Sequence, residues 1–251
     1  MLPLKIRSVS LGAGRPKIIV PLTGRTEKDI LESASKLPGS PAELAEWRAD
    51  FFESGTDPEA CRNVLQGLRE VLGALPLLFT FRTASEGGEK AVREETYRAL
   101  NLSAAESGSA DMIDVEVFAH PGAAELIRSL HACGAVVVGS SHNFHETPPE
   151  AEILRCLASE REAGADILKI AVMPQCREDV LTLLSATKKA RETFPDRPLI
   201  TMSMGKRGVL SRIAGEAFGS AATFGTLGAS SAPGQIPAEK LREILTLLHT
   251  E

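Results

Sequence analysis

The run Asp166-Ile-Leu-Lys-Ile-Ala-Val-Met-Pro174 decides how this chain is read. It is short and apolar and closes on a proline, which marks a buried strand. Helical periodicity precedes it at Pro149–Ala163 and follows it at Arg177–Thr193. Working outward, similar short runs occur at Lys17–Thr23, Glu43–Phe52, Leu77–Ala84, Met112–Phe118, Ala135–Ser141, Leu199–Met204 and Ala221–Thr226. Between them lie helix-like stretches at Glu27–Lys36, Glu59–Leu72, Glu94–Ser107, Ala123–His131 and Val209–Phe218. The tail Pro237–His249 opens with proline and carries Leu241, Ile244, Leu245 and Leu248 at helix spacing. Eight strands alternating with eight helices in 251 residues predict an α/β chain folded as one (β/α)8 TIM barrel. Leu4–Gly14 alternates like a strand and ends in Gly-Ala-Gly, so it is expected to form a short β-ribbon closing the N-terminal end of the barrel. No linker, low-complexity tract or charge block divides the chain, and residues 1–251 are read as a single domain. An open doubly wound sheet is the alternative, but Gly-x-Gly-x-x-Gly is absent after the first strand.

Composition narrows the partners. The chain is 43% hydrophobic, enough for a large core, and carries a net charge of −5 with both signs interspersed. There is no basic block or aromatic–basic interleaving, which argues against nucleic acid or an anionic membrane as partner. No apolar stretch approaches a membrane span, and Met-Leu-Pro-Leu-Lys-Ile-Arg at the start lacks a signal-peptide core. Cys61, Cys133, Cys156 and Cys176 are scattered without a metal-ligand spacing, as reduced thiols of a cytoplasmic protein would be.

The strands carry charge where a barrel needs apolar residues. In Glu43–Phe52, Glu46, Arg48 and Asp50 share one face while Ala45, Trp47, Ala49 and Phe51 share the other. Arg82 and Glu86 share parity at the end of the third strand, and Asp114 and Glu116 in the fourth. His142 follows Val136, Val138 and Ser140, and Lys169 follows Ile167. The helix-facing side must be apolar, so these charges point inward, and those near the C-terminal strand ends line the mouth where barrel active sites lie. An interior ion-pair network that fixes strand register explains Asp114, and Asp50 to a lesser degree. It explains a set with a histidine and a lysine less well, because so much desolvation without a ligand is costly.

Of the ten lysines, Lys169 alone is enclosed by aliphatic sequence neighbours. Burial disfavours an ammonium, and a neutral amine is a nucleophile whose natural chemistry is a Schiff base with a carbonyl. The bland alternative is a lysine snorkelling from a strand end. His142, one strand earlier, is placed to act as general acid or base. His145 has the weaker claim, and His120, His131 and His249 read as bland. Glu86 is positioned to orient His142 and stabilise its protonated form. Arg48, Arg82 and Arg212 supply fork-shaped donors for carboxylate and hydroxyl groups. The loop Gly228-Ala-Ser-Ser-Ala-Pro-Gly-Gln235 is a candidate lid, and equally a phosphate cradle or an ordinary connection.

Nine segments in one order carry a resemblance to a known family. They are Ile18-Ile-Val-Pro21, Glu46-Trp-Arg-Ala-Asp50, Phe79-Thr-Phe-Arg-Thr-Ala-Ser-Glu-Gly-Gly88, Met112-Ile-Asp-Val-Glu116, Ser140-Ser-His-Asn-Phe144, Lys169-Ile-Ala-Val-Met-Pro-Gln175, Thr201-Met-Ser-Met204, Ser211-Arg-Ile-Ala-Gly-Glu-Ala-Phe-Gly-Ser220 and Ser231-Ala-Pro-Gly-Gln235. Along nearly its whole length the chain resembles the type I 3-dehydroquinate dehydratases. The resemblance implies a (β/α)8 barrel, usually a homodimer, that dehydrates 3-dehydroquinate to 3-dehydroshikimate in the shikimate route, with no metal or dissociable cofactor. It matches Lys169 to the Schiff-base lysine, His142 to the proton-transfer histidine and Glu86 to the carboxylate partnering that histidine. It matches Arg212 and Gln235 to the substrate-carboxylate clamp, Ser231 to the lid, and Glu46, Arg48 and Arg82 to groups that hold hydroxyls. Ser141, Asn143, Leu168 and Pro21 depart from the usual residues without removing a catalytic group. Two rivals are another Schiff-base barrel such as a class I aldolase, and a non-catalytic binding barrel. The pattern Arg212…Ser231…Gln235 argues against the first, and the retained Lys169 and His142 against the second.

Overall fold

The computed structural model describes residues 2–228 and 234–249. A hairpin of β1 (Leu4–Ile6) and β2 (Val9–Leu11) is followed by β3 (Lys17–Leu22), α1 (Glu27–Ala34), β4 (Leu44–Arg48), α2 (Pro58–Leu72), β5 (Leu77–Thr80) and α3 (Glu94–Glu106). Then come β6 (Met112–Glu116), α4 (Ala123–Ala132), β7 (Val136–Asn143), α5 (Glu150–Glu162), β8 (Ile167–Val172) and α6 (Arg177–Thr193). The chain ends with β9 (Leu199–Ser203), α7 (Val209–Ile213), α8 (Gly215–Phe218), β10 (Ala222–Thr226), β11 (Ile236–Pro237) and α9 (Ala238–Leu248). Strands β3 to β10 pair in parallel in the order β10-β3-β4-β5-β6-β7-β8-β9. The sheet curls until β9 meets the start of β10, where a Leu199–Ser220 bridge and an Ala221 N–H to Leu199 C=O bond of 2.7 Å join its ends. This is the (β/α)8 barrel. Among the described residues no helix is long and apolar enough to cross a membrane.

Strand alternation sorts the side chains into an outer and an inner set. On the outside Ala45, Trp47, Leu77, Phe79, Ile113, Val115 and Val137 pack with Ile30, Leu65, Leu68, Leu100 and Leu126 of the helices. Leu168, Ile170 and Val172 pack with Ile153, Leu157, Leu183 and Ala186. Burying each of the leucine, isoleucine, valine and phenylalanine side chains contributes roughly 1.5–3 kcal/mol. Inside, the N-terminal layer is apolar: Ile19, Leu44, Leu78, Met112, Val138, Ile167, Ile200 and Ala222. Ile6 and Leu11 of the hairpin join this cluster, so the ribbon closes the barrel from below. Toward the C-terminal ends the inward residues turn polar, with Glu46, Thr80, Asp114, Ser140 and Lys169 all buried. The outside is therefore mainly a hydrophobic interface, and the inside becomes a pocket toward the C-terminal strand ends.

Three local details differ from the sequence expectations. The second strand stops at Arg48, and Ala49–Phe51 form a 3-10 turn, so Asp50 reaches Arg48 from a turn rather than from a shared strand face. The third strand stops at Thr80, and Glu86 lies in the 3-10 turn Ala84–Glu86. In both places the chain must leave the sheet to cross to the next helix, and polar residues of the turn fold back over the mouth. The stretch Val209–Phe218 breaks into two short helices, with Ala214 between them in a non-helical conformation.

Candidate active site

Lys169 sits mid-strand on β8, its neighbours Leu168 and Ile170 turned to the helices and its own side chain turned inward. Its sequence surroundings are aliphatic but its spatial ones are not. Nζ is 3.1 Å from Asp114 Oδ2 on β6 and 3.5 Å from Glu46 Oε1 on β4. The ammonium also lies 5.0 Å from the centroid of the Phe224 ring on β10. Thr80 donates to Glu46 at 3.0 Å and Ser140 to Asp114 at 2.7 Å, which fixes both carboxylates. Sequence neighbours misjudge this environment because parallel strands bring charges together from positions tens of residues apart.

Arg82 is the hub of the network. Its guanidinium donates to Asp114 at 2.8 Å, Glu116 at 2.9 Å, Ser140 at 3.1 Å and Glu86 at 3.4 Å. Burial works against the Arg82 charge, but Asp114, Glu116 and Glu86 outweigh it and hold the group more firmly protonated than usual. Asp114 is likewise penalised by burial, yet Arg82 and Lys169 keep it below the ordinary carboxylate range. Arg48 spends Nε and Nη2 on the two oxygens of Asp50, at 2.8 and 2.7 Å, and lies over the Phe51 ring.

His142, near the end of β7, bonds through Nδ1 to Glu86 Oε2 at 2.8 Å. Both groups are nearly buried, their side chains 10% and 9% exposed. Burial, then the positive charges of Arg82, Lys169 and Arg48, push the imidazole well below its usual value. Burial pushes Glu86 up to about 8, against the pull of Arg82. The pair is thus placed to share a proton near neutrality, and Nε2 is the histidine nitrogen turned away from Glu86.

One cavity at the barrel mouth gathers these groups. Glu46, Arg48, Arg82, Glu86, His142 and Lys169 line it together with Arg212 of α7 and Gln235. Arg212 is 1% exposed, and burial pushes its guanidinium down to about 10, so it remains a cation at pH 7. Ser231 lies outside the described residues. Asp50 is fully buried behind Arg48, and Asp114 and Glu116 are fully buried around Arg82. His145 is exposed, its backbone N–H turned to Asn143 Oδ1.

Sequence reasoning missed the apolar side of the cavity: Phe144, Ala171, Met202, Met204 and Phe224. Met202 and Met204 share strand parity, and that signal was available. It also dismissed His120, which is buried, stacks on Tyr97 with centroids 3.7 Å apart and bonds Glu94 at 2.6 Å. Burial lowers the His120 value, but Glu116 and Glu94 more than reverse this.

A nucleophilic amine, an acid–base histidine with a carboxylate behind it, and buried cations for an anionic group can perform carbonyl condensation and proton transfer at neighbouring atoms. The model of the family described as type I 3-dehydroquinase matches residues 18–251. The chain belongs to the type I 3-dehydroquinase family. A 3-dehydroquinate dehydratase of Syntrophotalea carbinolica is 49% identical over all of both chains. A type I 3-dehydroquinate dehydratase of Clostridium difficile, solved with covalently modified comenic acid, superposes with a TM-score of 0.94 at 43% identity, covering 98% of this chain and 97% of that one. The 3-dehydroquinate dehydratase of Geobacillus kaustophilus superposes with a TM-score of 0.95 at 39% identity, covering 98% and 96%.

Proposed function

We propose that this chain, acting as one catalytic domain, dehydrates 3-dehydroquinate to 3-dehydroshikimate through a Schiff base on Lys169, in the shikimate route to aromatic amino acids. The observation that carries the reading is the placement of the Lys169 amine and the Glu86–His142 pair in one buried cavity of a family member. In the proposed sequence Lys169 gives up a proton to a base of the cavity and adds through Nζ to the C3 carbonyl; the carbinolamine hydroxyl takes that proton back and leaves as water, which leaves an iminium. The iminium draws electrons from the adjacent C2–H bond, and His142 Nε2 takes that proton to give an enamine. The enamine pushes out the C1 hydroxyl, which leaves as water with the proton His142 returns. Hydrolysis of the new iminium frees the product and the lysine.

Arg212 and Gln235, with Ser231, are assigned to the substrate carboxylate, and Glu46 and Arg48 to its hydroxyls. Arg82 gives its donors to three carboxylates and Ser140, so its role in this reading is to hold Glu86 in place while bordering the pocket. The proposal extends to a cytoplasmic homodimer. Its four cysteines are unpaired, as a reducing compartment leaves them.

Borohydride reduction with 3-dehydroquinate present tests the reading. Mass spectrometry is expected to find a ligand-sized addition on the peptide bearing Lys169, with loss of activity. Labelling at Lys206 instead, or turnover without any adduct, overturns it.

A further inference from the structure

We propose that Glu160 is a positioning residue that fixes the root of Lys169 from the helix side of the sheet; this rests on the Schiff-base reading above. Glu160 lies on α5 and is fully buried. Its Oε2 accepts the backbone N–H of Lys169 at 2.9 Å, and its Oε1 accepts from the Ser141 hydroxyl at 3.1 Å. One carboxyl thus ties together the two strands that present the amine and the histidine, at the residue bearing the amine and the residue just before His142.

The surrounding sequence is shaped to admit it. Ser140 points into the barrel, so the flanking Gly139 and Ser141 face the helices. A Cβ on Gly139 would stand 2.7 Å from Ala165 Cβ and 3.1 Å from Glu160 Cβ, so only glycine lets the Glu160 stem down onto the sheet there. Ser141 then supplies a hydroxyl where an apolar outward residue would leave an oxygen of a buried carboxyl without a donor. Burial pushes the Glu160 carboxyl well above its usual range, and the charges of Glu86 and Asp114 act in the same direction. The hydrogen bonds from the Lys169 N–H and the Ser141 hydroxyl act against burial; a glutamine of the same shape keeps an oxygen to accept the Lys169 N–H and turns its NH2 to the Ser141 oxygen, which can accept it.

A lysine stem has four flexible carbons, so its reactive nitrogen is placed by its root and by the partners at its tip. The tip partners, Asp114 and Glu46, are inside the barrel. Glu160 is the anchor at the root. Small misplacement of a reacting atom is expensive in rate, and this is where a loss of the anchor would show.

The test compares the parent protein with Glu160→Gln, Glu160→Ala and Ser141→Ala by rapid-quench borohydride trapping of the Lys169 adduct, alongside KM, kcat and thermal melting. Glu160→Gln is expected to trap at a rate comparable to the parent. Glu160→Ala is expected to form the adduct roughly 10- to 100-fold more slowly, with KM little changed. A merely structural role would lower the melting temperature but leave the trapping rate of the folded protein intact, and that result overturns the proposal. So does a Glu160→Gln variant as slow as the alanine one. Should Glu160→Ala fail to fold, Ser141→Ala decides: slower trapping at an unchanged melting temperature supports the anchor, and parental trapping refutes it. Absence of a Lys169 adduct in the parent protein sinks the Schiff-base reading and this proposal together, whereas a normal parental adduct isolates the Glu160 result.

Discussion

Replacing Glu86 by glutamine tests the proton held between Glu86 and His142. The carboxyl raised to about 8 and the imidazole held well below its usual value both favour the proton on Glu86 at pH 7, an arrangement in which its O–H donates to Nδ1 across their 2.8 Å contact. The ring is then protonated at Nε2, the wrong tautomer for accepting a proton from C2. Loss of one proton from the pair makes Glu86 an acceptor of Nδ1–H and frees the Nε2 lone pair. A folded-state value raised to about 8 means that this competent form is scarce below that pH and grows through it. A single titration at about 8 gives about one-eleventh of the enzyme in the competent form at pH 7 and about ten-elevenths at pH 9. Thus kcat/KM, which reports the free enzyme, should climb about tenfold between those two pH values. Glutamine cannot ionise, so the variant should lose this limb, and its rate should fall roughly 100- to 10,000-fold for an impaired acid–base group. The assay is initial rates from pH 6 to 10, following the conjugated enone product by ultraviolet absorbance. A flat parental profile between pH 7 and 9, or the same rising limb in Glu86→Gln, would show that the pair is not the titrating unit.

His142→Ala should cut turnover by roughly 100-fold or more while still forming, and accumulating, a borohydride-reducible adduct at Lys169. His145→Ala, exposed and outside the cavity lining, should keep most activity; a dead His145→Ala beside a live His142→Ala would reverse the assignment. Lys169→Ala should abolish turnover yet still bind substrate in calorimetry. Arg212→Ala should raise KM and the dissociation constant strongly, because charge-assisted bonds to a buried carboxylate are lost; equal and mild effects from both variants would mean that the site is misplaced.

Much of the architecture was legible because a barrel strand announces its two faces in its parity. Trp47 and Ala45 outward, with Glu46 and Arg48 inward, could be read from ten residues of sequence. Parity fails where the strand ends, and the functional chemistry concentrates there. Glu86 shares parity with Arg82 on paper, but it reaches His142 from a 3-10 turn, through geometry that no two-residue repeat encodes. Glu160 was invisible for a related reason. On an amphipathic helix a glutamate four residues short of Gly164 reads as solvated, and its burial depends on the missing side chain of Gly139 on another element. The same pairing gives the Ser141 hydroxyl a partner and hence a physical account.

The charge arrangement around Lys169 bears on how the proposed iminium would be accommodated so deep in the protein. Asp114 serves Lys169 and Arg82 at once, at 3.1 and 2.8 Å, and Glu46 adds a second carboxylate at 3.5 Å. If Lys169 gives up a proton to become a nucleophile, Asp114 remains paired with Arg82 and is not stranded, while Glu46 keeps the hydrogen bond from Thr80. When the amine becomes an iminium, a single positive charge returns to nearly the place the ammonium occupied. The carboxylates then face the cation they were already arranged to face, and the cavity needs no reorganisation at the moment the charge appears. The same arrangement favours the iminium over a neutral carbinolamine, since only the former restores the interaction with both acids. An Asp114→Asn change would therefore act twice, weakening the iminium and loosening Arg82 from its place beside Glu86. That double loss follows from one carboxylate serving two cations, and it ties the chemistry at C3 to the proton transfer at C2 through residues the substrate need not touch.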